Sequence, residues 1–308
     1  MNFSAVGTNQ TKISMWTAVS ELIMERIDDL VYSELLVLSF FFSMIMRQVR
    51  WGIVREICGA LIGIGLTYYF TGWKLLYSLI IVILNLVGLS FEISDSRKKN
   101  AMDFDPKKTR FIEEPRWWQS ILYAYNFPGL FTGPYYTYAM HRDVVDNDNI
   151  MEISVWDHIS WRLHNLAWAL PAFILLVYAF PLQMMRESEF FDETAFYRVW
   201  ISFLVFLWMR CRVYSAWMVA ESICVLNGIG IYPEESCPSA GKGPNRIDIF
   251  NEQMNGKGTK YNSEAVRNLD IWAIEFDATF RGGMRAWNRT VQFWLANNVY
   301  KRVPRTVG

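Results

Sequence analysis

The stretch that decides the fold runs from Glu264 to Pro304 and reads EAVRNLDIWAIEFDATFRGGMRAWNRTVQFWLANNVYKRVP. Apolar residues recur at the three- and four-residue spacing of a helix on both sides of its glycine pair. These residues are Leu269, Trp272, Ala273 and Phe276 before the pair, and Trp287, Val291, Trp294 and Leu295 after it. The spacing predicts two helices with a hinge at Arg281-Gly282-Gly283. The pattern alone leaves open whether they form an amphipathic pair lying on a membrane or part of a buried site.

The composition indicates a membrane protein. Hydrophobic residues make up 52% of the 308 residues and aromatic residues 16%, with 14 tryptophans. Charged residues make up only 19%, against about 25% in ordinary soluble chains. The net charge is zero, so nothing points to a nucleic acid as partner. The four cysteines lack a C-x-x-C spacing, and we expect buried thiols and no metal site.

Apolar runs that approach the thickness of a bilayer recur along the chain. The predicted spans are Leu30–Met46, Ile57–Tyr69 (longer if Trp51–Val54 join it), Leu75–Phe91, Leu166–Met185, Phe196–Met209 and Val213–Tyr232. We therefore predict an all-α fold, a polytopic membrane helix bundle with kinked or re-entrant segments and amphipathic interfacial helices. It is expected to form a single domain over residues 1–308.

Three segments lack this apolar periodicity. Residues 1–29 form a polar N-terminus, 92–119 a basic loop, and 233–262 a flexible loop rich in Gly, Pro and Asn. An excess of arginine and lysine marks cytosolic loops. The basic loop and the segment Arg47–Arg55 are therefore predicted to be cytosolic, with Lys74 on the far side.

Residues 120–140 are apolar but contain helix breakers. These are Pro128, Gly129, Gly133 and Pro134. A broken helix at membrane depth is tolerated only where protein or a cavity surrounds it. The sequence therefore predicts a kinked or re-entrant segment here.

Charged residues interrupt the later spans at Arg210, Arg212 and Glu221. Ionisable groups inside spans usually pair or face a wet cavity, so structural pairing and the lining of a lipid tunnel both remain open. Guanidinium suits phosphate, which makes the two arginines candidate contacts for an anionic lipid head group. Asn288 lies next to Trp287, and a buried amide costs free energy unless something hydrogen-bonds it. This pair is a weak candidate site.

The string GMRAWNRTVQFWLANNVYKRVP (283–304) resembles the Trp-Asn motif of the membrane-bound O-acyltransferase family and, within it, the lysophosphatidylinositol acyltransferase branch. Three further stretches are similar to that family: LFTGPYYTYAMHRD (130–143), FLWMRCRVYSAWMVAESICVLNGIGIYP (206–233) and SEAVRNLD (263–270). The resemblance covers most of the chain.

The resemblance implies an acyl-CoA-dependent lysophospholipid acyltransferase of the endoplasmic reticulum membrane. It would reacylate lysophosphatidylinositol with a polyunsaturated chain in phospholipid remodelling, with acyl-CoA as co-substrate and no cofactor. By resemblance, Asn288 is catalytic and orients groups or donates a hydrogen bond, with Trp287 beside it as a substrate contact. Thr132, Gly133 and Pro134 would wall the central chamber.

The family's general base is a histidine beyond the Trp-Asn motif, and no Trp-His-Gly motif occurs up to Gly308. His141, His158 and His164 all precede Asn288. We therefore expect a C-terminally truncated fragment or short isoform that is inactive alone, since losing a general base costs about 10²–10⁴ in rate. Two alternatives stay open: a non-catalytic isoform that binds lipid or a protein partner, and, because of the broken segment, a membrane transporter.

Overall fold

The structure, a computed structural model, describes residues 27–71, 76–100, 112–253 and 258–303. Helices dominate this part of the chain. They are α1 (Ile27–Met46), α2 (Gly52–Thr71), α3 (Leu76–Asn100), α4 (Trp117–Ala124), α5 (Phe127–Leu130), α6 (Tyr138–Asp146), α7 (Trp156–Ala179), α8 (Ser188–Asp192), α9 (Ala195–Leu226), α10 (Ile247–Gln253), α11 (Ile271–Phe276), α12 (Phe280–Ala286) and α13 (Arg289–Asn298). Two strands of two residues each pair antiparallel, β1 (Tyr232–Pro233) and β2 (Tyr261–Asn262). Short 3-10 turns cover Asp148–Glu152, Leu182–Arg186, Glu234–Ser236, Glu264–Val266 and Tyr300–Arg302.

Four helices in the described residues are long and apolar enough to cross a bilayer, namely α1, the part Gly52–Phe70 of α2, α7 and α9. Their outward faces are apolar and exposed: Leu61 on α2 is 63% exposed and Leu175 on α7 is 70% exposed. Continuous apolar surface of this kind is stable against lipid rather than water. The chain is a multi-pass membrane protein, and the predicted all-α membrane bundle is confirmed.

The spans differ from the prediction at their ends. α2 begins at Gly52, so the run Ile57–Tyr69 is joined by the apolar residues before it. α3 carries the third predicted span from residue 76 and continues as a helix to Asn100. The loop predicted for 92–119 is therefore shorter, since α4 also begins inside it and residues 101–111 lie outside the described part.

The two spans predicted on either side of Arg210 and Arg212 are one continuous helix, the 32-residue α9. Both arginines pair with carboxylates, Glu275 and Asp29 respectively. Paired charges lower the cost of ionisable groups within a span, so the helix continues through them. α7 ends at Ala179, earlier than predicted, because the chain then enters a 3-10 turn.

The segment predicted as a flexible loop, 233–262, contains secondary structure. β1 and β2 pair across its two ends, with Tyr232 opposite Asn262. α10 lies between them, and residues 254–257 are outside the described part. The Tyr232 hydroxyl donates to the Asp143 carboxylate on α6 (2.6 Å), which fixes this segment to the bundle. Lys74 and most of the predicted polar N-terminus lie outside the described residues.

Several helices begin or end on the same side of the bundle. Arg47, just after α1, donates to the carbonyl of Leu226 at the end of α9 (3.1 Å). α6 lies across the start of α2 and the last part of α3 on that side. Its Arg142 pairs with Glu56 of α2 (3.7 Å), and Glu92 of α3 accepts from the N–H of its first residue (3.0 Å). The described parts of the two basic segments that the charge pattern assigns to one membrane face therefore lie at the same end of the bundle.

The predicted break in residues 120–140 is present. α4, α5 and α6 are separate short helices, joined after α5 by an extended stretch. Tyr123, Phe127 and Leu130 are each 1% exposed, so the segment is buried inside the protein. Gly133 is required by a close approach, because a Cβ there would lie 2.2 Å from the carbonyl oxygen of Pro128. This buried segment becomes one wall of the site described next.

Candidate functional site

The C-terminal part of the described chain folds into a helical hairpin followed by a third helix. α11 and α12 form the hairpin, and two backbone hydrogen bonds close its open end. The Asp270 N–H donates to the Ala286 carbonyl, and the Arg289 N–H donates to the Asn268 carbonyl, both at 3.0 Å. We call residues 268–289 the closed hairpin.

The chain reverses between Asp277 and Thr279, so the hinge predicted at Arg281-Gly282-Gly283 was wrong. The Asp277 carboxylate accepts from the Thr279 N–H (2.8 Å), and the Thr279 hydroxyl oxygen accepts from the Gly282 N–H (3.0 Å) as N-cap of α12. The backbone N–H and hydroxyl of Thr279 lower the pKa of Asp277. The glycines lie inside α12, where a Cβ on Gly282 would lie 2.1 Å from a carboxylate oxygen of Asp277. Gly282 therefore allows α12 to pack closely against the Asp277 carboxylate at the turn.

The closed hairpin lies along α9. Glu275 on α11 accepts a hydrogen bond from the Tyr214 hydroxyl (2.6 Å) and pairs with Arg210 (3.2 Å). Trp287 packs against Trp217, with ring centroids 5.3 Å apart. Arg210 therefore fastens the hairpin to α9, which is the structural pairing that the sequence left open.

Arg212 points elsewhere, because residues two apart on a helix lie on nearly opposite sides. It pairs with Asp29 on α1, and its side chain is 52% exposed. It also lines an apolar cavity described below. The structure thus separates two arginines that the sequence grouped.

Glu221 is completely buried and belongs to a hydrogen-bonded network. Its Oε2 accepts from Nε of Arg162 on α7 (2.9 Å). Its Oε1 accepts from the backbone N–H of Asn268 (2.7 Å) and from that of Leu269 (3.3 Å). A buried carboxylate needs such partners to stay charged. Glu221 therefore holds the start of the closed hairpin against α7 and α9.

Asn288 lies between α12 and α13 with its backbone in the left-handed region (φ 49°, ψ 51°). Asparagine is one of the few residues that adopt this conformation, which costs roughly 1–3 kcal/mol for a residue with a side chain. The residue is half-buried, and its Oδ1 is buried without a hydrogen-bond partner among the described residues. An unpaired buried acceptor costs about 1–3 kcal/mol, so this oxygen is suited to receive a donor from a bound molecule.

Thr290 connects the Trp-Asn turn to the broken segment. Its buried hydroxyl donates to Oδ1 of Asn268 (2.6 Å) and accepts from the Tyr135 N–H (3.0 Å). This bond links the segment that carries Thr132, Gly133 and Pro134 to the turn that carries Asn288. Burial and nearby Glu92 raise the pKa of Tyr135 well above its usual range, so its phenol stays neutral.

Two cavities flank this network. An apolar cavity of about 490 Å³ is lined by Thr132, Trp217, Arg212 and residues of α1 and α7. A more polar cavity of about 710 Å³ is lined by Tyr135, Phe293 and Lys301 among others. Thr132 and Tyr135 are three residues apart, so the broken segment borders both cavities. Asn288 lines neither, although its neighbour Trp287 packs against Trp217 at the apolar one.

The histidines have other contacts. His141 is buried, with Nε2 3.1 Å from Oε1 of Glu56 and Nδ1 3.2 Å from Nδ2 of Asn126. His158 lies at a third cavity near Arg162. The two contacts of His141 tie its ring to the fold around α2.

The sequence profile of the membrane-bound O-acyltransferase family (MBOAT) matches residues 3–307, almost the whole chain. The chain belongs to the membrane-bound O-acyltransferase family. The Trp-Asn turn, the broken Thr-Gly-Pro segment and the buried Glu221 network all lie within the matched residues.

Several curated family members are similar to the chain. The membrane-bound acylglycerophosphatidylinositol O-acyltransferase mboa-7 of Caenorhabditis elegans is 39% identical over 227 residues, 73% of this chain and 49% of that protein. MBOAT7 of Homo sapiens, which carries the same descriptive name, is 31% identical over 236 residues, again 73% of this chain and 49% of that protein. The chain spans about half the length of these relatives.

Three residues of this membrane-bound O-acyltransferase site were not predicted from the sequence: Arg162, Asn268 and Thr290. A signal existed for Arg162, because Glu221 requires a cation and Arg162 is the only arginine or lysine in α7. Asn268 and Thr290 carry no charge and look like ordinary turn and helix residues. Their role depends on contacts across 22 residues of chain, which only the folded hairpin creates.

Proposed function

We propose that this chain provides the Trp-Asn part of an enzyme that transfers a fatty acyl group from acyl-CoA to a lysophospholipid. The observation that supports the proposal is the buried, unpaired Oδ1 of Asn288, held in a left-handed turn. The adjacent Trp287 contacts Trp217 of the apolar cavity, and Thr290 binds the backbone of Tyr135, which lines the polar one. Most buried polar atoms in folded proteins have a hydrogen-bond partner, so an unpaired one needs an explanation, of which a binding or catalytic role is one.

The reaction places three demands on the site. The acceptor hydroxyl oxygen attacks the thioester carbonyl carbon, the carbon–sulfur bond breaks, and the hydroxyl proton passes through a base to the leaving thiolate. A base must take the proton, a donor must stabilise the developing oxyanion, and water must be excluded. Asn288 offers an amide N–H₂ for the oxyanion and an Oδ1 that accepts from the attacking hydroxyl or from a protonated base. The membrane bundle around it supplies the water-poor environment.

The apolar cavity suits the lysolipid acceptor. Its lining is mostly aliphatic and aromatic, as a fatty chain requires, and its Trp217 contacts Trp287 of the Trp-Asn turn. Arg212 lies at its edge, paired with Asp29 and half-exposed. A guanidinium at the edge of an apolar cavity fits a phosphate attached to a fatty chain.

The polar cavity suits the phosphate-bearing donor. Lys242, Lys301 and Arg302 are among its lining residues. The Lys301 ammonium group contacts the amide oxygen of Asn297 (2.6 Å), and Arg302 pairs with Asp95 (2.7 Å). These three cations outnumber the two carboxylates of the lining, Glu92 and Asp95, and a net positive charge attracts the phosphates of coenzyme A.

The head group is proposed from the names of the relatives, and the acyl chain from the sequence resemblance. Curated relatives are named acylglycerophosphatidylinositol O-acyltransferases, so we propose lysophosphatidylinositol as acceptor. A polyunsaturated acyl chain, a role in phospholipid remodelling and the endoplasmic reticulum membrane complete the proposal.

Acyl transfer by the complete polypeptide encoded by the gene, in proteoliposomes, tests this function. Labelled arachidonoyl-CoA is supplied with lysophosphatidylinositol, lysophosphatidylcholine or lysophosphatidylserine. Glycine adopts the left-handed backbone without strain. Any loss of activity in the Asn288→Gly variant is therefore due to the missing carboxamide. We expect a fall in kcat of about 10²–10³, and no change in Asn149→Ala, an exposed asparagine. Full activity of Asn288→Gly, or equal use of all three lysolipids, would contradict the proposal.

A further inference from the structure

The first turn of α13 lacks the cap that its sequence suggests. The first backbone N–H groups of any helix have no partner within it and need an external acceptor. Asparagine is among the best residues for this role, since its side-chain oxygen accepts from the second or third helical N–H. Asn288 occupies the N-cap position of α13, yet its side chain makes no capping hydrogen bond.

Asn268 supplies both acceptors instead, from 20 residues earlier in the chain. Its backbone carbonyl accepts from the Arg289 N–H (3.0 Å). Its side-chain Oδ1 accepts from the Thr290 N–H (3.3 Å) and from the Thr290 hydroxyl (2.6 Å). The first two N–H groups of α13 are therefore satisfied without any contribution from the Asn288 side chain.

Asn268 is itself held in place by buried charges. Its N–H donates to Oε1 of Glu221 (2.7 Å), and Glu221 is held by Arg162. Arg162 also donates to the Ser263 hydroxyl and to the His158 carbonyl, both at 2.9 Å. Asn268 is 2% exposed, so water does not compete for its Oδ1. The capping position of Asn268 is thus defined by α7 and α9 rather than by α13.

We propose that Asn268 is a positioning residue for Asn288: by capping α13 in its place, Asn268 keeps the Asn288 carboxamide unbonded and available to the reacting groups. The proposal rests on the proposed acyl transfer for its catalytic part. The cap exchange itself is a property of the fold and is measurable without any reaction.

The catalytic part is tested with Asn268→Ala in the complete polypeptide. This variant keeps both backbone hydrogen bonds of residue 268 and removes only the side-chain acceptor. The Asn288 side chain then turns to accept from the Thr290 N–H, which takes it away from the reaction. We expect kcat to fall roughly tenfold, equivalent to about 1.4 kcal/mol, with KM for both substrates unchanged. Asn147→Ala, which removes a side-chain cap from the 3-10 turn at Asp148–Glu152, should leave kcat unchanged.

The cap exchange is tested by thermal unfolding of this 308-residue chain in detergent. Asn288→Gly is made alone and together with Asn268→Ala. Alone, it relieves the left-handed strain and removes the unpaired acceptor, so the midpoint should not fall. In the Asn268→Ala background it also removes the substitute cap, so its effect on the midpoint should be about 2–4 °C more destabilising than in the wild type.

The outcomes are distinguishable. If the wild-type polypeptide transfers no acyl group, the proposed function fails, while the unfolding experiment still decides whether the two asparagines exchange. If the wild type is active and Asn268→Ala keeps its kcat, the positioning role is overturned. Equal effects of Asn288→Gly in both backgrounds would overturn the cap exchange.

Discussion

The buried pair Arg162–Glu221 makes the sharpest stability prediction. Arg162 is 2% exposed and Glu221 is fully buried, with Nε and Oε2 2.9 Å apart. Arg162→Met keeps the length and apolar stem of the side chain but leaves Glu221 charged and without its cation. Breaking a buried ion pair in this way costs about 3–5 kcal/mol. At about 2–4 °C per kcal/mol, the midpoint of thermal unfolding should fall by roughly 6–20 °C.

The helix that carries Glu221, α9, also provides a matched control. Arg212 pairs with Asp29, but its side chain is 52% exposed. Exposed pairs contribute only about 0–1 kcal/mol, so Arg212→Met should lower the midpoint by no more than about 4 °C. Adding Glu221→Gln to Arg162→Met removes the unpaired charge and keeps a side-chain oxygen for the Asn268 N–H, so part of the loss should return.

The assay is thermal unfolding of the purified chain in one detergent, followed by intrinsic tryptophan fluorescence. Equal shifts for Arg162→Met and Arg212→Met would refute the reasoning, since burial is what distinguishes the two pairs. A double variant less stable than Arg162→Met alone would also refute it.

Three further predictions concern other parts of the site. Gly133→Ala places a methyl group 2.2 Å from a backbone carbonyl oxygen and should abolish folding or activity. Gly65→Ala, which meets nothing within 4 Å, should be neutral or stabilise α2 by up to about 1 kcal/mol. Expression level and the midpoint of thermal unfolding compare the two variants. Thr290→Val keeps the side-chain shape but leaves the Tyr135 N–H without its acceptor, at a cost of about 1–3 kcal/mol, and Thr290→Ser should keep most of the stability; a similar midpoint for both would contradict the network. Burial raises the pKa of Tyr136 well above its usual range, so at high pH the folded form binds more protons than the unfolded form. The stability that this provides is present below about pH 10 and is lost as the pH rises above it. Tyr136→Phe should reduce that loss in midpoints measured between about pH 9 and 11; an unchanged slope would exclude Tyr136 as its source.

Much of the broken segment was predictable from local rules. Two prolines and two glycines within an apolar run rule out a straight span, and the structure breaks there into short buried helices. The hinge predicted at Arg281-Gly282-Gly283 was wrong because other local interactions decide where the chain turns. Glycine is a weak signal for a turn when a neighbouring Asp and Thr provide stronger turn and capping bonds, as Asp277 and Thr279 do.

The charged residues of α9 show where local rules end. A sequence indicates that a buried acid or arginine needs a partner, but the partner can lie anywhere in the chain. Arg210 pairs with Glu275, 65 residues later in the chain, and Glu221 pairs with Arg162, 59 residues earlier. Periodicity holds no information about such pairs, because they depend on which helices become neighbours.

The sequence by itself determined the class of molecule, the apolar helices, the broken segment and the family, because these follow from composition, short-range spacing and a long motif. Only the tertiary structure decided that Asn288 carries an unpaired oxygen, since that depends on Asn268 capping α13 from the far end of a closed hairpin. The physical reason is the range of the interactions. Helix formation is decided within a few residues, whereas the state of a single amide is decided by the side chains that folding brings around it.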